Sequence, residues 1–301
     1  MVNSRVLIII VTYNAMPWAE RCFDSLKASS ALHDVFVVDN GSSDGSQKFI
    51  QERYPDIIFH QSETNLGFGR ANNIGLQYAI EHGYDYVYLL NQDAWVMPET
   101  FEELITISQK HPEYGILSPM QMKADCKHLD GNFIKNVLLC EKTKEPYFIE
   151  DAYFNQLEEV YEVDFVMAAH WFITRKCLET VGGFSPTFPH YGEDSNFIHR
   201  AKYWDFKVGI VPNSRAVHDR GDAHWSKEKQ TYIEEYIGDL IGYSNPYYTP
   251  RSRWFSLVRK CMVSIILGNK MVKKYNIRLL KERNYILNNY KLSLRKKAFL
   301  K

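Results

Sequence analysis

Short apolar runs alternate with mixed, helix-like stretches over the first 118 residues. Residues 6–11, 35–38, 57–59 and 86–90 are apolar throughout. Residues 17–28, 43–53, 69–82 and 98–110 mix polar and apolar positions at helical spacing. A strand covered on both faces needs apolar residues at every position, as in a parallel sheet flanked by helices. Strand and helix in alternation predict βαβ units. Pro98 suits a first helical turn, where its missing N–H costs nothing. Such sheets bind ligands beyond the carboxyl ends of their strands, so the loops that follow the strands are where chemistry is sought.

Further on, residues 119–162 have weaker periodicity and read as a long excursion or irregular hairpins, a contributor to acceptor choice. Residues 163–175 read as a strand and 176–181 as a short helix. Gly182-Gly183 breaks the chain, then residues 192–204 read as a helix and 206–211 as a strand. From residue 226 the pattern is mainly helical. The expected division is an α/β domain over residues 1–225 and a helical extension over residues 226–301.

Composition adds one feature to this picture. The 301-residue chain is 45% hydrophobic with formal net charge zero, which describes an ordinary globular protein. The charge is unevenly spread. Residues 245–301 hold fifteen Lys and Arg against the single acid Glu282, a net of +14, and leave −14 on the rest. Cys22, Cys126, Cys140, Cys177 and Cys261 are odd in number and none forms a C-x-x-C pair. Reduced thiols in a reducing compartment are the expectation, without a disulfide framework or structural zinc site. The run at residues 6–11 is too short for a signal-peptide core, and no stretch approaches the ~20 apolar residues that span a bilayer. A cytoplasmic protein is expected.

The strand ends carry groups suited to a nucleotide. The first strand ends in Val11-Thr12-Tyr13-Asn14, and the second runs into Asp39-Asn40-Gly41-Ser42-Ser43-Asp44-Gly45-Ser46. Asp39 could accept a hydrogen bond from a base imide or a ribose hydroxyl, and glycines allow close backbone approach. The same residues also read as an ordinary turn with Ser43 or Asp44 as helix cap. Asn65-Leu66-Gly67-Phe68-Gly69-Arg70 enters a helix whose N-terminus suits phosphate, with Arg70 as a cation. A glycine-rich cap with a surface arginine is the alternative, and no P-loop is present. Asn91-Gln92-Asp93 follows the fourth strand, where a carboxylate can reach Mg²⁺ or Mn²⁺. In Tyr191-Gly192-Glu193-Asp194, the acids read as a general base or as partners of a helix dipole. His218 ends a short apolar stretch and could ligate a metal as neutral imidazole; a structural histidine is the alternative.

In order and spacing these pieces resemble family 2 glycosyltransferases, especially rhamnosyltransferase-like members. The motifs are V-T-Y-N, V-V-D-N-G-S-S-D-G-S, N-L-G-F-G-R-A-N-N-I-G, Y-L-L-N-Q-D-A, V-G-G-F-S, Y-G-E-D-S-N and A-V-H, over roughly residues 4–220. The resemblance implies a GT-A fold, with a mostly parallel nucleotide-binding sheet flanked by helices, and an inverting transfer from a nucleoside-diphosphate sugar. Asp39 would contact a pyrimidine base, with Thr12 and Tyr13 lining its pocket. Asp44, Asn65, Gly67 and Arg70 would belong to the nucleotide site. Asn91-Gln92-Asp93 takes the place of the D-x-D motif, with neutral Asn91 as a departure. Asp93 and His218 would hold Mg²⁺ or Mn²⁺. Asp194 would be the catalytic base, with Glu193 second. The leading donors are dTDP-rhamnose and UDP-sugars, with a glycan or lipid-linked saccharide as acceptor in polysaccharide biosynthesis.

Two rivals differ in class. A nucleotidyltransferase would carry a glycine-rich loop with a basic residue after the first strand, where this chain has V-T-Y-N-A-M-P. A non-catalytic sugar-nucleotide-binding protein would not need a base. The +14 tail has its own readings: contact with an anionic membrane surface through residues 245–301, on the inner face of the cell membrane, or packing on the acidic domain or a partner subunit. Charge alone also fits nucleic acid, and no such partner is expected.

Overall fold

The computed structural model describes residues 4–29, 31–139, 147–220, 226–248, 250–266 and 268–300. Cys140 lies outside these, as do residues 221–225 beside the expected boundary between domain and extension. The strands are β1 (Val6–Thr12), β2 (His33–Asp39), β3 (Ile58–Gln61), β4 (Tyr86–Asn91), β5 (Ala94–Val96), β6 (Tyr114–Met122), β7 (Tyr161–Glu162), β8 (His170–Thr174) and β9 (Lys207–His218). The helices are α1 (Ala19–Lys27), α2 (Ser46–Arg53), α3 (Phe68–Glu81), α4 (Thr100–Lys110), α5 (Gly131–Phe133), α6 (Phe148–Tyr153), α7 (Arg175–Val181), α8 (Glu193–Tyr203), α9 (Lys227–Thr231), α10 (Gly238–Ser244), α11 (Pro250–Ile266) and α12 (Lys270–Ser293).

One sheet runs in the order β3-β2-β1-β4-β8-β6-β9-β5, with β7 beside β9. β3, β2, β1, β4, β6 and β9 run the same way, and β8, β5 and β7 oppose them. β1 shows why the apolar runs are unbroken. Leu7 and Ile9 feed the core on one face; Val6, Ile8 and Ile10 feed the core on the other. Successive side chains alternate faces, and here both faces are dry.

Three expectations are corrected. β6 begins inside the segment after α4 and runs into the stretch read as an excursion; all nine of its residues are buried. Gly115, Ser118, Pro119 and Gln121 hide it in the sequence. Pro119 cannot donate to a ladder, and it sits at a register shift against β9, where a strand tolerates it. The strand expected over residues 163–175 occupies only His170–Thr174. Val166, Met167, Ala168 and Ala169 are buried all the same, in a loop, and burial without alternation does not separate loop from strand. β9 is twice the expected length and ends at His218.

The C-terminal helices have a core of their own, in which Trp254, Leu257, Tyr275, Leu279 and Ile286 pack with Phe188, Tyr236 and Leu240. The chain end then returns to the sheet domain. Gly183 N–H donates to the Ala298 carbonyl, and Lys297 N–H to that of Thr180. Gly182 has φ +86°, and a Cβ there would overlap the Ala298 carbonyl oxygen. The inner face of the basic extension therefore packs on this chain. Among the described residues no helix is long and apolar enough to cross a membrane. Cys22, Cys177 and Cys261 are buried and free, and Cys126 is exposed and free.

Candidate active site

Loops after β1 and β2 are laced together by hydrogen bonds. Asp39 is fully buried at the end of β2. Its carboxylate accepts from Thr12 Oγ1, Ser42 Oγ, the Gly41 and Ser42 amides, and the Gln47 and Gln61 side chains. Burial alone would raise this carboxyl, but the donors outweigh it and hold the group below its usual range. Just before α2, Asp44 accepts from the Ser46 N–H and hydroxyl and from Met16 N–H. Asn14, at φ 52°, accepts from Ser43 N–H.

The next loop is tied to the second. Asn65 Oδ1 accepts from Asn40 Nδ2 and Gly67 N–H, while Asn40 Oδ1 accepts from Leu66 N–H. Gly67 has φ +80°, and a Cβ there would stand 2.8 Å from the Pro189 carbonyl oxygen. Only glycine lets this loop meet residues 189–192, which lead into α8. Within α3, Asn73 clasps Phe184 by both amide atoms, at 2.7 and 2.9 Å.

β5 pairs antiparallel with β9, setting Ala94 opposite His218. This pairing brings Asp93 Oδ1 to 3.5 Å from His218 Nε2. Burial pushes the Asp93 carboxyl up, and the facing His218 more than compensates, so it lies below its ordinary value. Arg220 Nε donates to His218 Nδ1 at 3.0 Å, which leaves the ring proton on Nε2, toward Asp93. Behind them His170 is buried, with Tyr88 Oη at 2.8 Å from Nδ1 and the Val217 carbonyl at 3.0 Å from Nε2. Burial pushes His170 down to about 3, so it stays neutral and holds the strand end that carries His218.

An oxygen and an imidazole nitrogen converging at the cleft wall fit Mg²⁺ or Mn²⁺ with two protein ligands. Among the described residues no group of three or more His, Cys, Asp or Glu is arranged to hold a metal. The rest of the coordination sphere would come from water and phosphate. A cation on Nε2 requires the other tautomer, with the proton on Nδ1, so Arg220 would give up its bond to the ring.

α8 starts after Gly192, whose backbone is in the left-handed region, and presents both acids in its first turn. Burial, reinforced by the Asp194 charge, pushes the Glu193 carboxyl up to about 8. Its Oε2 is buried and has no hydrogen-bond partner. Burial also raises Asp194, opposed by the Ser195 N–H that donates to Oδ1 at 2.7 Å. With its carboxyl raised to about 8, Glu193 carries a proton at neutral pH. A carboxyl raised from 4.5 to about 8 weakens folding as pH climbs between those values, because the unfolded chain releases its proton first. Glu193→Gln removes that loss. Its melting temperature should exceed the wild type by more at pH 8.5 than at pH 5, with about 2 kcal/mol or more of relative gain. Parallel melting curves at both pH values would show that Glu193 is not buried as described.

The cleft has a volume of about 790 Å³, within the range of small-ligand sites. Asn91, Asp93, Glu193, Asp194 and His218 line it together, with Arg220, Lys135 and Lys229 as cations and His190 and Tyr191 at one wall. Thr12, Tyr13, Asp39, Asp44, Asn65, Gly67, Arg70 and Gln92 are not in this lining; they build the adjoining loops. Gln92 pairs both amide atoms with the Tyr13 backbone, at 2.6 and 3.1 Å. Asp39 is already occupied by six protein donors. Arg70 is exposed on the first turn of α3. Sequence reasoning missed Arg220, which lies two residues after His218, and Lys135, which has no local signature.

Comparison with known proteins fits this arrangement. The pattern describing "Glycosyl transferase family 2" matches residues 7–178. The dTDP-rhamnosyl transferase RfbF of Shigella flexneri is 22% identical over 282 residues, 90% of this chain and 85% of that one. The N-acetylglucosaminyl-diphospho-decaprenol L-rhamnosyltransferase of Mycobacterium tuberculosis is 30% identical over 122 residues, 38% of this chain and 40% of that one. S. aureus TarS residues 1–349, solved with UDP, superposes with TM-score 0.56 at 15% identity over 96% of this chain and 81% of that one. GalNAc-T7, solved with UDP, GalNAc and Mn²⁺, gives 0.57 at 15% identity over 81% of this chain and 51% of that one. With a GT-A fold and a family match over more than half its length, the chain belongs to glycosyl transferase family 2 and is a rhamnosyltransferase-like glycosyltransferase.

Proposed function

We propose that this glycosyltransferase moves a sugar from a nucleoside diphosphate to an acceptor hydroxyl with inversion at the anomeric carbon. The observation that carries the reading is the shared cleft, lined by Asp194 and by the Asp93–His218 pair. Residues 1–225 would form the catalytic domain and residues 226–301 its extension. Asp194 takes the proton of the acceptor hydroxyl. The oxygen bonds to the anomeric carbon as the bond to the diphosphate breaks, and the diphosphate leaves with the electron pair. Glu193, protonated and unpartnered, can donate to a sugar oxygen. Arg220, Lys135 and Lys229 present positive charge to phosphate groups. Asp93 and His218 would hold Mg²⁺ or Mn²⁺, which supplies charge neutralisation at the departing diphosphate.

A pyrimidine nucleotide is supported by the Asp39 loop. Gln47 and Gln61 are its two long-side-chain donors, and their displacement would leave Asp39 Oδ1 with only the Gly41 and Ser42 amides and room to accept from a base imide. The names of the relatives support dTDP-rhamnose or a UDP-sugar as donor, and a glycan or lipid-linked saccharide in polysaccharide biosynthesis as acceptor. The reading puts the enzyme in the cytoplasm, peripheral to the inner face of the membrane where its acceptor is lipid-linked.

The test is release of nucleoside diphosphate from a panel of dTDP- and UDP-sugars, with Mn²⁺ or Mg²⁺ and then with a chelator, followed by NMR of the product linkage. Release from one pyrimidine donor, lost on chelation, with an inverted anomeric centre is expected. A retained centre would end the single-displacement mechanism, and no turnover of any donor would favour a binding protein.

A further inference from the structure

We infer that the outer face of α11 docks on the surface of an anionic lipid bilayer. The helix buries Trp254, Leu257, Cys261 and Ser264 against the rest of the extension. Phe255, Val258, Met262, Ile265 and Ile266 remain exposed, Phe255 at 76% and Ile266 at 81%. Their spacing of three, four, three and one residues places them on one stripe. Arg259 flanks the stripe, and Lys270, Lys273 and Lys274 are exposed at the start of α12. A contiguous apolar face on a segment of net charge +14 has the composition that a negatively charged lipid surface attracts and then holds. α11 has 17 residues with Arg259 and Lys260 within it, which suits lying along a bilayer rather than crossing it.

A second copy of this chain offers a competing surface. α6 and its flanks expose Tyr147, Tyr153 and Phe154 beside Glu150 and Asp151. α6 is only six residues long, so at about 1.5 Å per residue it covers half of a stripe that runs from Phe255 to Ile266. A lipid surface covers all of it and meets the exposed Lys270, Lys273 and Lys274 at the start of α12. The inference rests on the proposed function only for its purpose, delivery to a lipid-linked acceptor; the docking itself does not depend on turnover.

The experiment is co-sedimentation of the full-length protein with phosphatidylcholine vesicles, with and without about 30% phosphatidylglycerol. The wild type and the Phe255→Ser/Ile266→Ser variant are compared, with circular dichroism and light-scattering mass on both. Wild-type binding to anionic vesicles is expected to exceed binding to neutral ones, and to fall at about 0.5 M salt. The variant is expected to bind at least about tenfold less with an unchanged spectrum; should it misfold, Met262→Ser is read instead. Equal binding by wild type and variant, or indifference to phosphatidylglycerol, overturns the inference. So does a stripe-dependent dimer without vesicle binding, which assigns the face to a second copy. Stripe-dependent binding by a protein that turns over no donor upholds this inference and ends the catalytic reading instead.

Discussion

Asp194→Asn is expected to lower kcat by about 10²-fold or more while leaving nucleoside diphosphate affinity close to that of the wild type. The substitution is nearly isosteric, and an asparagine oxygen can still accept the Ser195 N–H that Asp194 accepts at 2.7 Å. The amide cannot take up the acceptor proton, so the loss falls on turnover and not on binding. Asp194 is raised by burial. The acid limb of the wild-type kcat profile should therefore lie above the ordinary aspartate value, with activity falling as pH drops through it. Glu193→Gln should keep that limb, because Glu193 already carries a proton at neutral pH. Single-turnover rates and equilibrium binding of the nucleotide separate the two effects. Full turnover in Asp194→Asn, with a dead Glu193→Gln, would exchange the two roles.

The second large effect is expected from Asp93→Ala. The variant removes the oxygen that stands 3.5 Å from His218 Nε2 and leaves that nitrogen facing the cleft alone. Mn²⁺ affinity in the presence of nucleoside diphosphate, measured by calorimetry or paramagnetic resonance, should fall at least about tenfold. Turnover should fall by about 10²-fold or more. His218→Ala should act in the same direction. Unchanged Mn²⁺ binding by Asp93→Ala would move the cation elsewhere and leave the Asp93–His218 contact as a structural pair.

Much of the sheet and part of the site are legible in the linear chain. β1 and β4 appear as unbroken apolar runs because both of their faces are dry, a property that local composition reports directly. The loops after β1, β2 and β4 and the start of α8 stand out because glycine, asparagine and aspartate cluster where an apolar run stops. β6 does not stand out, since its glycine, serine, proline and glutamine are tolerated only by what surrounds them. The loop at residues 163–169 is as apolar as a strand because it is as buried as one.

The sequence by itself determined the α/β class, the places where strands hand over to loops, the basic and mainly helical C-terminal stretch, and the residue types available for a cation and a base. Periodicity, turn chemistry and charge are local quantities, and these features depend on nothing else. Only the tertiary structure decided that Asp93 faces His218, because that contact needs β5 to pair with β9 across more than a hundred residues. It also decided that Gln92 serves the Tyr13 backbone, that six donors fill Asp39, and that α11 keeps one apolar face bare. The partner of a side chain, and the face a helix shows to solvent, are fixed by which elements pack together, and no stretch of sequence records that alone.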